Sequence, residues 1–132
     1  MKKTIILTAV SAILFALNIQ AQVPADFVKG SVTLADGSTI SGFVKDNIKK
    51  SAAVFIVDNN GSNKKLYYSN EINAATIDGT NYVSVKSDFF KSICTGKICF
   101  LQKASNISGK TIYNGSEAIV LSGTDGKIGD YF

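Results

Sequence analysis

From Val28 onward the chain alternates apolar and polar positions in short runs. Val28, Val32 and Leu34 share one face at the two-residue period of a strand, with Lys29, Ser31 and Thr33 between them. Thr39 to Val44 repeats the pattern with Ile40 and Val44. No window sustains the 3.6-residue period of an amphipathic helix. Between the runs stand Asp36-Gly37, Asn60-Gly61, Asp78-Gly79, Thr95-Gly96, Asn114-Gly115 and Asp125-Gly126. Short segments rich in Val, Ile, Thr, Tyr and Phe, joined by X-Gly turns, predict an all-β fold. The reading is an antiparallel meander of hairpins forming a small barrel or sandwich.

Registers follow from matching apolar faces, because a slip of one residue turns every side chain over. In the first hairpin a two-residue Asp36-Gly37 turn mixes the faces. A three-residue loop, Ala35-Asp36-Gly37, sets Val32 against Ile40 and Val28 against Val44, with Gly37 left-handed at a bulge. It also sets Gly30 opposite Gly42, leaving room for a sharp bend or for a ligand on bare backbone. The second hairpin pairs Ala53–Val57, apolar on both faces and so read as a central strand, with Lys65–Tyr68 across Asp58–Ser62. Tyr67 and Tyr68 point opposite ways. In the third, a two-residue Asp78-Gly79 turn brings Ile72 and Ala74 opposite Val85 and Val83. The fourth holds Cys94 and Cys99. A fifth, Lys110–Tyr113 with Glu117–Leu121, turns around Asn114-Gly115, after a link from Ala104 to Gly109.

The start of the chain does not fit this rhythm. Lys2-Lys3 precedes an apolar run from Ile5 to Leu17, and Asn18-Ile19-Gln20-Ala21 follows. That layout is a secretory signal peptide over 1–21, with cleavage expected after Ala21 and a single β-rich domain at 22–132. A membrane anchor needs about 20 apolar residues, more than this run supplies. No cysteine near the cleavage point offers a lipid anchor. The expected mature protein is periplasmic or secreted, with no integral membrane segment. Phe132 resembles the end of an outer-membrane barrel, but Asp130 shares its face and the strands are shorter than the 9–11 residues such barrels need.

Composition narrows the function. The net charge is +4, two units of which are Lys2 and Lys3, and the lysines are scattered. This gives no case for nucleic acid. The chain has no His, no Arg and no Trp. It therefore lacks the usual base near neutral pH and the bidentate clamp for phosphate or carboxylate. Glutamate occurs only at Glu71 and Glu117, and most aspartates sit beside Gly or Asn as turn residues. No catalytic residue, metal ligand or cofactor site is assigned. Most of the five tyrosines and eight phenylalanines fall on core faces rather than forming a sugar-stacking platform. Asn60, Asn106 and Asn114 begin Asn-x-Ser triplets, read as turn chemistry.

Cys94 and Cys99 are the two cysteines of the chain. Zinc needs about four ligands, and a redox Cys-x-x-Cys has two intervening residues where this pair has four. A structural disulfide suits an exported protein, but it depends on the turn. A two-residue Thr95-Gly96 turn leaves the cysteines diagonal, about 7–8 Å apart. A four-residue loop from Thr95 to Ile98 sets them face to face. A three-residue loop ending at Gly96 does not.

The ordered stretches GSVTLADGSTISGFV, KKLYYSNEINAATIDGTNYVSV and FFKSICTGKICFLQK, from Gly30 to Lys103, resemble a group of small secreted β-rich Bacteroidota proteins of uncharacterised function. The resemblance implies export and a β-rich fold, and it implies no site. The expected function is a non-catalytic binding or structural component of the bacterial cell envelope with an envelope protein partner. The alternatives are a carboxylate-dependent hydrolase acting on envelope glycans and a subunit that adds an edge strand to its partner.

Overall fold

The Ala35-Asp36-Gly37 loop forms as the apolar faces require. β1 (Val28–Leu34) and β2 (Thr39–Asn47) pair antiparallel, with Val32 opposite Ile40, Gly30 opposite Gly42 and Val28 opposite Val44. Gly37 is left-handed at φ +88°, and the Asp36 carboxylate accepts from the Ser38 N–H at 2.8 Å and its hydroxyl at 2.6 Å. These relations come from a computed structural model that describes residues 22–107 and 109–132. The leader reading at 1–21 lies outside the described residues.

The elements continue as α1 (Ile48–Ser51), β3 (Ala53–Val57), β4 (Lys65–Tyr68), β5 (Ile72–Ile77), β6 (Thr80–Val85), β7 (Asp88–Thr95), β8 (Ile98–Lys103), β9 (Thr111–Asn114) and β10 (Glu117–Val120). The single turn of α1 was not legible as a period. It stops at Ala52, which is left-handed at φ 46°. β1 to β8 form one antiparallel sheet in the order β4-β3-β2-β1-β5-β6-β7-β8, and β9 and β10 form a second, smaller one. The large sheet is therefore two four-stranded meanders joined at the β1·β5 pair. After β4 the chain returns to the middle, where the free side of β1 takes Ala75 opposite Val32 and Thr76 opposite Ser31. β3 lies inside the sheet as its two apolar faces predict, and four of its five residues are buried. Tyr67 is buried and Tyr68 half-buried. The Asp78-Gly79 turn has both residues at positive φ, 48° and 76°, with Ala74 opposite Val83. That is the turn whose twist suits a two-residue hairpin.

The sheet is not closed into a barrel, which corrects one of the two closures expected. Its edge strands β4 and β8 do not pair. The sheet curls far enough for the end of β4 to meet β6 and the β6–β7 turn through side chains rather than a strand ladder. The Ser69 hydroxyl, just past β4, donates to the Ser87 carbonyl, and the Ser84 hydroxyl donates to the Ser69 carbonyl. β4 has only four residues, and the Glu71 carboxylate takes the Tyr68 N–H at 2.9 Å. That edge is thus too short and too occupied to extend a ladder.

The facing glycines make the bend. A Cβ on Gly30 would run into the Thr76 carbonyl, and one on Gly42 into the Val57 carbonyl. Both obstacles are neighbouring backbone, which comes this close only where strands coil sharply. The inner face so formed carries Val32, Val44, Val54, Ile56, Tyr67, Ala75 and Phe89. Ile48 of α1, Ile107 and Leu121 complete the core, and Ile112 and Ile119 of the small sheet pack against it. Each fully buried side chain of this size contributes roughly 1.5–3 kcal/mol.

Candidate functional site

β6 pairs with β7 only as far as Tyr82 opposite Lys91. Beyond that point β7 and β8 run on as a two-stranded arm, Ser92 to Leu101, with Cys94 opposite Cys99 and Thr95 opposite Ile98. The turn at its tip is Gly96-Lys97, and the register is the face-to-face one offered by the four-residue loop, with Thr95 and Ile98 taken into the strands as one further pair. Gly96 has φ +67°, and glycine at the first of two turn positions fits the twist of a tight hairpin. The fifth hairpin shifts in the same way. Glu117 faces Asn114, and the turn is Gly115-Ser116 with Gly115 at φ +66°. In both hairpins glycine marks the first turn residue, and the residue before it stays in the strand.

This register joins the cysteines. The Cys94–Cys99 S–S distance is 2.07 Å and the Cα–Cα distance 4.0 Å. The hydrogen-bond ladder explains the close approach. Leu101 exchanges both backbone hydrogen bonds with Phe132, at 3.0 and 2.9 Å. Its N–H therefore points away from β7, and by the two-residue period so does that of Cys99. Cys94 and Cys99 form a non-hydrogen-bonded pair, the kind whose Cα atoms lie closer. Both residues are exposed. An isolated two-stranded hairpin is marginal in water, so the bond clasps the arm where no third strand supports it.

The inner face, covered at Phe89, continues uncovered onto this arm. Strand alternation places Ile93, Thr95, Ile98 and Phe100 on it. Tyr131 joins them opposite Gln102, because the last residues pair along the outer edge of β8. Ile98 is 62% exposed, Phe100 49% and Tyr131 63%. From Phe89 to Gln102 the charged residues are Lys91 and Lys97 alone.

The base of the arm is anchored by two charges that the sequence did not single out. Asp88 opens β7 and Lys103 ends β8, and both side chains are fully buried with the ammonium 3.3 Å from the carboxylate. One carboxylate oxygen accepts from the Ile107 N–H at 2.9 Å and the Ser105 hydroxyl at 3.2 Å. The other accepts from the Thr124 N–H at 2.8 Å and hydroxyl at 3.0 Å. Lys103 donates to the carbonyls of Thr124, Asp125 and Gly126. By alternation both charges fall on the face opposite Phe89, so the strand pattern did not mark them as buried. The partners of Asp88 lie 15 to 36 residues away in sequence, beyond the reach of local pattern.

Other carboxylates are likewise engaged with nearby backbone. Asp58 is held below the ordinary carboxylate value, first by the Ser62 N–H and then by the Asn63 amide. Asp46 accepts from the Ile48 N–H, and Asp130 from the Lys127 N–H. Among the described residues no three Cys, Asp or Glu side chains gather where they could hold a metal ion. A depression of about 430 Å³ lies over Lys29, Ser31 and Ser41 beside the facing glycines. The Thr76 and Val57 carbonyls already account for those glycines. Compared with known proteins, no family model, curated protein or solved structure matches the chain.

Proposed function

We propose that the protein is an exported, non-catalytic binding or structural component of the bacterial cell envelope, periplasmic or secreted, and that it engages its surroundings through the disulfide-clasped arm. The observation that carries this reading is the exposed apolar face of Ile98, Phe100 and Tyr131 on an arm clasped by Cys94–Cys99. An exposed apolar face on a two-stranded arm marks a contact surface. The disulfide supports export, because such bonds persist in oxidising compartments. So does the Lys2-Lys3 leader with its apolar run. The tasks taken by Asp36, Asp46, Asp58, Glu71, Asp88 and Asp130 favour this reading over a carboxylate-dependent hydrolase, which requires two free carboxyl groups facing one cleft. Strand addition has less support. Leu101 to Lys103 of β8 are already paired with Asp130 to Phe132, and β4 is short.

The test is photo-cross-linking from position 100 in the native host, followed by fractionation. Cross-links to envelope material support the reading. Recovery of uncross-linked monomer, free in periplasm or medium, overturns it.

A further inference from the structure

We propose that the arm docks onto an anionic lipid surface. The inference rests on the envelope reading above and names the partner for the same face. Two observations select this occupant. The first is charge: Lys91 and Lys97 are the charged residues from Phe89 to Gln102. Strand alternation puts Lys91 on the face of Ile93 and Phe100, and Lys97 sits in the tip turn. Two side-chain carboxylates near the arm are spent elsewhere. Asp88 is buried against Lys103. Asp130 lies on the opposite face from Tyr131, with one oxygen accepting from the Lys127 N–H at 2.6 Å. The face is therefore apolar and cationic, the combination that binds a lipid interface with anionic headgroups.

The second observation is size. A stable protein interface covers about 800 Å² on each partner. The arm is two strands wide and offers the exposed parts of two isoleucines and two aromatic rings, where a whole buried aromatic covers about 150–250 Å². That is small for a protein groove and sufficient for a tip entering the headgroup layer. Tyr131 and Phe100 supply the ring chemistry favoured at that depth.

The test uses the chain from Gln22 onward, which contains every described element and omits the apolar leader that would itself bind lipid. Co-flotation is measured with vesicles of phosphatidylglycerol and phosphatidylethanolamine, and with phosphatidylcholine vesicles. Binding to the anionic vesicles is expected, falling as ionic strength rises from about 0.1 M to about 1 M and screening shortens. Lys91→Gln and Lys97→Gln each lower the partition coefficient about fivefold. Phe100→Ser abolishes flotation while circular dichroism and disulfide mass stay unchanged. Tyr113→Ser, at a residue 74% exposed on the other small hairpin, leaves flotation intact. Absence of binding, equal binding to both vesicle types, or an equal loss with Tyr113→Ser overturns the proposal. A protein cross-linked at position 100 without vesicle binding overturns the lipid partner and leaves the envelope reading standing. Free, uncross-linked monomer in the host sinks that reading itself.

Discussion

Asp88 and Lys103 lie 3.3 Å apart with no solvent exposure on either side chain, and together they hold Ser105, Ile107 and the stretch from Thr124 to Gly126 against the sheet. Low dielectric makes such a pair costly to break and of little net benefit against an apolar pair.

Removal of one partner is therefore expected to destabilise far more than removal of both. Lys103→Met should cost about 3–5 kcal/mol, because Asp88 is left buried and three carbonyls lose their donor. Asp88→Leu with Lys103→Met should cost less than the sum of the single changes. Urea unfolding of the three variants measures this. Additive losses would show that the charges act separately.

The disulfide is expected to be a local clasp rather than a global one. It closes a short loop, with a sequence separation of 5, for which loop entropy gives about 2 kcal/mol. Reduction should add two hydrogens to the intact mass. Faster amide exchange should appear between Ser92 and Leu101 while the inner-face strands stay protected. Loss of protection at Val32 or Val54 would contradict a local role.

Gly30 and Gly42 should tolerate no side chain. Gly30→Ala and Gly42→Ala each force a methyl group into a carbonyl of the next strand, an overpacking that costs about 3 kcal/mol or more because backbone must move. Gly37→Ala is the control. Nothing lies within 4 Å of its Cβ position, so it should lose only about 1 kcal/mol from its positive φ. Thermal unfolding separates the two classes. Equal losses at all three positions would mean that crowding does not set the bend.

Tyr82 gives a pH prediction. Burial, and then the Asp46 carboxylate, push its hydroxyl above the ordinary value of 10.0. The unfolded chain releases this proton near pH 10, whereas the folded chain keeps it longer. The contribution is fully present below about pH 10 and is lost as pH rises through the folded value. The stability of the wild type relative to Tyr82→Phe should therefore fall as the pH rises past about 10. A difference that stays constant over that rise would show the hydroxyl to be freely solvated.

What could be read from the residues was whatever depends on near neighbours. Alternation gave the strands. The facing of Val32 with Ile40 fixed the first loop at three residues, and the Asp78-Gly79 turn followed from Ala74 and Val83. The double apolar face of Ala53–Val57 placed that strand inside the sheet. At Gly96 and Gly115 the same logic stopped one residue short. Glycine signals a positive φ but not whether it stands first or second in the turn, and the side chains around Cys94 and Cys99 are too alike on both faces to decide.

Tertiary structure decided the rest, because its causes are distant in sequence. β5 returned to β1, where a free strand edge and an apolar face were waiting. The sheet stayed open with β4 and β8 unpaired at its edges, while Ser69 beyond β4 reached Ser84 and Ser87. Asp88 found Lys103 and Thr124. The exposed arm exists because β6 ends its pairing at Tyr82 while β7 continues to Thr95. Strand order and strand overhang are set by long-range closure of the sheet, and no local period carries them.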